Sequence, residues 1–175
     1  MKQIIVLAII AIVTISLIVI SYGIIPIQIN DENKIREIEK QVHHNTNLER
    51  QKRGLQTLEY NIELSKIARL HSQDMLDRDF FAHNDPNGCD AVCRYQTSNY
   101  SCNSPMGVIA GENLHWWQYS DNIFWQSPEQ IGRETVASWM ESPGHRENIL
   151  SPMYQNEGIG VIITFQESFI TQNFC

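Results

Sequence analysis

Two of the six histidines stand directly beside breaks in the chain. His83 follows Phe80-Phe81-Ala82 and precedes Asn84-Asp85-Pro86-Asn87-Gly88, a run that turns the backbone. His145 follows Ser142-Pro143-Gly144, which stops a helix. Glu112 lies in Gly111-Glu112-Asn113-Leu114-His115-Trp116-Trp117, expected to be a strand or the approach to one. Residues beside turns and helix ends can point into one cavity. Two imidazoles and a carboxylate would then support one of three arrangements. They could form a zinc site with open positions for water, or a base with an orienting acid. Alternatively, the carboxylate could bond both rings as a purely structural tie. The Gly-x-Ser-x-Gly and His-Glu-x-x-His signatures of hydrolases do not occur.

The elements that must position these residues follow from periodicity. Over Asn61 to Arg78, Leu64, Ile67, Ala68, His71 and Met75 recur at helical spacing. His71 is thereby placed on the apolar face, where a hydrogen-bonded core histidine is expected. Phe80 and Phe81 are expected to plug the core. Ser127-Pro128-Glu129-Gln130 opens a second helix, with Ser as N-cap and Pro at the first helical position. Gly158 to Phe165 and Ser168 to Phe174, separated by Gln166-Glu167, read as two strands of a hairpin. Helices come first and strands cluster late, which predicts an α+β layered domain.

The charge distribution separates two environments. The chain has 175 residues and net charge −7, from 13 Lys+Arg and 20 Asp+Glu. Residues 1–30 hold a single charge, Lys2. Ile4 to Ile20 is broken only by Thr14 and Ser16, long enough in a helix to cross a bilayer. Residues 1–26 are therefore expected to be an uncleaved signal-anchor or transmembrane helix. The alternatives are a cleaved signal peptide, giving a secreted protein, and a buried core helix. Residues 27–43 are expected to be a stalk, because Asp31 to Lys40 alternates in charge sign and suggests a solvated helix. His43 and His44, just beyond, are expected at the surface. No Lys/Arg cluster exists to neutralise phosphates, which argues against nucleic-acid binding.

Cys89, Cys93, Cys102 and Cys175 do not have zinc-ribbon spacing, and two disulfides in an oxidising compartment are expected. A Cys89–Cys93 bond would close a very short loop. One of these two is therefore expected to bridge to Cys102 and the other to Cys175. Asn99-Tyr100-Ser101 is a glycosylation sequon by pattern.

Eight short motifs occur in a distinctive order. Asn47-Leu-Glu-Arg50 and Leu55-x-x-Leu58 precede Ala68-x-x-His71-Ser72-x-Asp74-Met75, and Phe80-Phe81-Ala82-His83 follows. Then come Gly111-Glu112-Asn113-Leu114 and Trp139-Met140-x-Ser142-Pro143-Gly144-His145-Arg146-x-Asn148-Ile149-Leu150. Gly158-Ile159-Gly160-Val161 and Thr171-Gln172-x-Phe174 complete the set. Over residues 44–175 this series resembles the CAP superfamily, in its prokaryotic SCP-like extracellular branch.

The resemblance implies a three-layer α-β-α sandwich with a central antiparallel sheet. It also implies a cleft of two histidines and two acids. His83, Glu112 and His145 match three of the four positions. The fourth falls on Ser142, with the nearest acid, Glu141, one residue early. That shift turns a helical side chain by about 100°. His83, His145 and Glu112 are thus the candidate ligands for zinc or another divalent metal. Trp116, Trp117 and Trp125 are expected near the approach to the late helix, either as core or as a grip for an apolar or sugar ligand. His115 is a further candidate there. Asn113 and Asn148 are expected to bond backbone near the cleft, and Arg146 to pair with an acid such as Glu157.

Two functions follow. One is a membrane-tethered extracellular binding module for a lipid, a cell-envelope component or another small ligand, as the resemblance implies. The other is a metal-dependent extracellular hydrolase using the same cleft.

Overall fold

The computed structural model describes residues 31–104, 107–108, 110–118 and 126–175. The anchor expected over 1–26 and Trp125 lie outside the described residues. Among the described residues no helix is long and apolar enough to cross a membrane.

Helix α1, Glu32–Gln51, starts where the Asp31 carboxylate accepts from the backbone N–H groups of Asn33 and Lys34. Strand β1 is Glu59–Tyr60, and α2 is Ile62–Asp77, capped by the Asn61 side chain. Helix α3, Ala91–Thr97, is capped by Asp90. A small ribbon pairs β2, Asn103–Ser104, with β3, Gly107–Val108. Strand β4 is Gly111–Gln118. Helix α4, Pro128–Glu141, begins as the sequence signalled, with the Ser127 hydroxyl accepting from Gln130 N–H. Helix α5, Pro143–Leu150, follows directly, and the hairpin β5, Asn156–Ile163, and β6, Glu167–Phe174, closes the described chain.

The main sheet has the order β1-β5-β6-β4. It is mixed rather than wholly antiparallel. The short β1 runs parallel to β5, while β5–β6 and β6–β4 are antiparallel. The pleat sorts side chains onto two faces. Ile159, Val161, Ile163, Ile170 and Phe174 pack with Ile38 and Val42 of α1 and with Ile131, Val136 and Trp139 of α4. On the other face, Leu114 and Phe169 pack with Met75 and Leu76 of α2. Gly158 and Gly160 let α2 lie directly on β5. A Cβ at either would collide with helix backbone at Leu64–Ser65 or Ala68–Arg69.

Four local expectations change. The charged segment 31–40 is helical but is not a solvated stalk. Ile38 and Val42 are fully buried in the core, and Ile35 packs against it. Three apolar residues at helical spacing suffice to dock a helix whose other faces carry the charges. The aromatic pair divides: Phe80 packs against the α2-side core, whereas Phe81 is 46% exposed. The disulfides are Cys89–Cys93 and Cys102–Cys175. The first turn of α3 brings the Cys89 and Cys93 Cα atoms to 5.3 Å, within bridging range despite the short separation. Arg146 donates to the Met140 carbonyl rather than pairing with Glu157.

Candidate functional site

Strand β4 is at the edge of the sheet, so groups from both faces can meet around it. Glu112 faces the α2 side. Asn113 and His115, with opposite parity, face α4 and α5. Glu112 is 7% exposed, and both its oxygens are engaged. Oε1 accepts from His83 Nδ1 at 2.9 Å, and Oε2 accepts from Arg94 Nη2 at 2.5 Å. His71 Nε2 lies 3.9 Å from Oε1 and donates to the Ala82 carbonyl at 3.1 Å. His71 is thus the core histidine expected from its helical position, and it also adjoins the candidate carboxylate.

Arg94 carries no motif that marked it in advance. Its Nη1 donates to the carbonyls of His83 and Cys89, at 3.0 and 2.9 Å. One guanidinium therefore holds the His83 loop, the Cys89–Cys93 loop and Glu112 together. Asp85 completes the loop by accepting from Asn87 N–H and Cys89 N–H. His83 is left with its side chain 55% exposed and Nδ1 fixed on the carboxylate. Its Nε2 is the ring atom available to a ligand.

His145 lies on the other side of β4, in the first turn of α5. Asn113 Nδ2 donates to the His145 carbonyl, and Asn148 Nδ2 donates to the Glu112 carbonyl, both at 3.1 Å. The two asparagines thus bond backbone as the sequence suggested, and tie α5 to β4. Burial holds the His145 pKa below the ordinary value, and the His83 charge lowers it further. His115 is pushed down to about 4 by burial and by His145, and its Nε2 is buried without a partner among the described residues. Burial likewise lowers His71. These rings are neutral near pH 7 and can accept a hydrogen bond or a proton.

Glu141 is exposed at the end of α4, and half-buried Ser142 joins α4 to α5. Ser142 accepts from Arg146 N–H. The fit to zinc is poor as the side chains stand, because both Glu112 oxygens are taken and one faces a guanidinium. Among the described residues, no group of three His, Cys, Asp or Glu side chains is placed to hold a metal ion.

The aromatic residues separate by face. Trp117 packs against the core and meets His115 edge-on, 5.3 Å between centroids. Trp116 is 41% exposed on the Glu112 side, stacked on Phe169 at 6.3 Å, with Phe81 6.0 Å away. Its indole N–H donates to Glu167 at 2.9 Å, which fixes the ring plane. An oriented aromatic surface therefore lies on the same face of β4 as Glu112.

Residues 43–174 match the model of the cysteine-rich secretory protein family, CAP. The Bacillus subtilis (strain 168) protein YkwD is 35% identical over 130 residues, 74% of this chain and 44% of YkwD. The membrane protein YlbC of the same organism is 30% identical over 136 residues, 78% of this chain and 34% of YlbC. The chain thus spans less than half the length of these curated relatives. The solved structure of an extracellular protein containing a SCP domain from Bacillus anthracis str. Ames is 26% identical, with TM-score 0.61. That alignment covers 79% of this chain and 40% of the other. A match across most of the described fold, in sequence and in structure, carries one conclusion: the chain belongs to the CAP family.

Proposed function

We propose that this chain is a membrane-tethered extracellular binding module whose ligand is an apolar or cell-envelope molecule held at the exposed edge of β4. The observation that carries this reading is the fixed aromatic surface of Phe81 and Trp116 beside the half-exposed His83. Large exposed aromatics with one polar anchor suit ligands that have an apolar face. His83, oriented by Glu112, would supply one directional hydrogen bond through Nε2. Tethering is supported by the uncharged run in residues 1–30 and by the description of the relative YlbC as a membrane protein. A metal-dependent hydrolase has less support, because Glu112 is committed to Arg94 and His83.

The test measures binding of the full chain to purified cell envelope and to lipid vesicles. Trp116→Ala should weaken binding at least tenfold, whereas the His83→Ala/His145→Ala double variant should retain most of it. Loss of all binding in the histidine variant, with Trp116→Ala unaffected, would sink the proposal. Zinc-dependent stabilisation of the protein would restore the hydrolase reading.

A further inference from the structure

A second site lies away from the β4 edge and shares no lining residue with it. It is a cavity of about 440 Å³ between the turn after α1, the end of α5 and the start of β5. Arg50 lines it and is only 1% exposed. A guanidinium has five N–H donors. Nε donates to the Gln56 carbonyl at 2.7 Å, and Nη1 donates to the Ile149 and Ser151 carbonyls, both at 2.8 Å. Three donors are thus used, all on neutral oxygens, and Nη2 has no partner among the described residues.

No carboxylate lies within ion-pair distance of Arg50 among the described residues. Glu157 acts on it from farther away and is itself bonded to His43 and Gln172. A buried cation without a counter-ion is costly, and an anion brought from outside would offset that cost. The remaining walls describe the rest of such a ligand. Leu55, Pro152 and Tyr154 offer apolar surface, while Thr57 and Asn156 add polar groups. Glu59 also lines the cavity, and the chain as a whole is acidic, at −7. A single guanidinium nitrogen beside a carboxylate favours a monoanion over a dianion.

We infer that the Arg50 cavity is a binding site for a small monocarboxylate with an apolar body, held through Nη2. The test uses the full chain with methyl-labelled Leu and Thr, titrated with benzoate, benzamide and inorganic phosphate. Benzoate should shift the Leu55 and Thr57 methyl signals saturably. Neutral benzamide should bind at least tenfold more weakly, and phosphate more weakly than benzoate. Thr57→Glu is made at an exposed position and leaves the three carbonyl contacts of Arg50 intact. It supplies a tethered carboxylate and should abolish the benzoate response at Leu55. Equal binding of benzamide, tighter binding of phosphate, an unchanged response in Thr57→Glu, or no saturable shift would each overturn the assignment.

Discussion

Two buried carboxylates on opposite faces of the sheet have been given different surroundings. Glu157 on β5 is 0% exposed and faces α1. It meets His43 Nδ1 at 2.6 Å and Gln172 Nε2 at 2.5 Å. Gln172 also donates to Thr46, and Asn47 donates to the Leu58 carbonyl and lies 3.4 Å from His43 Nε2. Glu112 on β4 also has an imidazole partner, but its ring is half-exposed and its second oxygen faces an arginine. Around it, His71 Nδ1, Arg94 Nε and the side-chain amide of Asn173, the cross-strand neighbour of Glu112, are buried without partners among the described residues. The first cluster closes its hydrogen bonds within the fold, and the second leaves donors and acceptors over. Buried polar groups are normally paired, so leftovers gathered at a sheet edge point to a ligand's place. Gln172 joins the two regions, because its carbonyl oxygen accepts from Asn113, which holds the His145 backbone.

The largest effect should come from breaking the closed cluster. Glu157→Ala should cost about 3–5 kcal/mol in urea unfolding, since it strands His43 and Gln172 in the interior. Glu112→Ala should cost less, because Arg94 and His83 keep other contacts or water. Equal losses for the two would remove the distinction between them.

The next effect is a pH dependence. The folded protein holds His115 near a pKa of about 4, against 6.5 for the free side chain. The unfolded chain therefore binds a proton first as pH falls. Stability from this residue is present above pH 6.5 and is lost progressively toward about 4, by up to about 3 kcal/mol. His145 and His71 act in the same sense. His115→Phe should flatten that part of the stability–pH curve, and an unchanged slope would count against the burial of this ring.

A smaller effect is expected from Glu112→Gln. Removing the charge opposite Arg94 should cost about 1–3 kcal/mol and increase His83 mobility by NMR relaxation. Smallest of all, Trp116→Ala should change stability by under about 1 kcal/mol while reducing ligand binding. A large stability loss there would place Trp116 in the core instead.

Much of the frame was legible because it rests on local rules. The period of Leu64, Ile67, Ala68, His71 and Met75 gave α2, the Ser127-Pro128 start gave α4, and two strand-like runs separated by Gln166-Glu167 gave the hairpin. The docking of α1 was harder to see, since Ile35, Ile38 and Val42 are outnumbered by charges, and burial depends on what packs opposite. His83, His145 and Glu112 were singled out through motif order, which carries information that spacing alone lacks. Arg94 was missed because its role is tertiary. It depends on how α3 and its disulfide bring a surface-type residue against a strand close in sequence but on a different element. The Cys89–Cys93 pairing was missed for the same reason, because the Asp90 cap sets the turn that makes the bridge possible.

The position of β6 has a consequence for when the fold can form. This strand, the last of the described elements, sits between β5 and β4. Until residues 167–174 are available, β4 has no neighbour in the main sheet, and the two faces cannot be completed. The β4–β6 pairing joins segments far apart in sequence, a non-local contact whose loop-closure cost comes before its reward. For a chain proposed to work outside the cell, late completion of the sheet would be compatible with export.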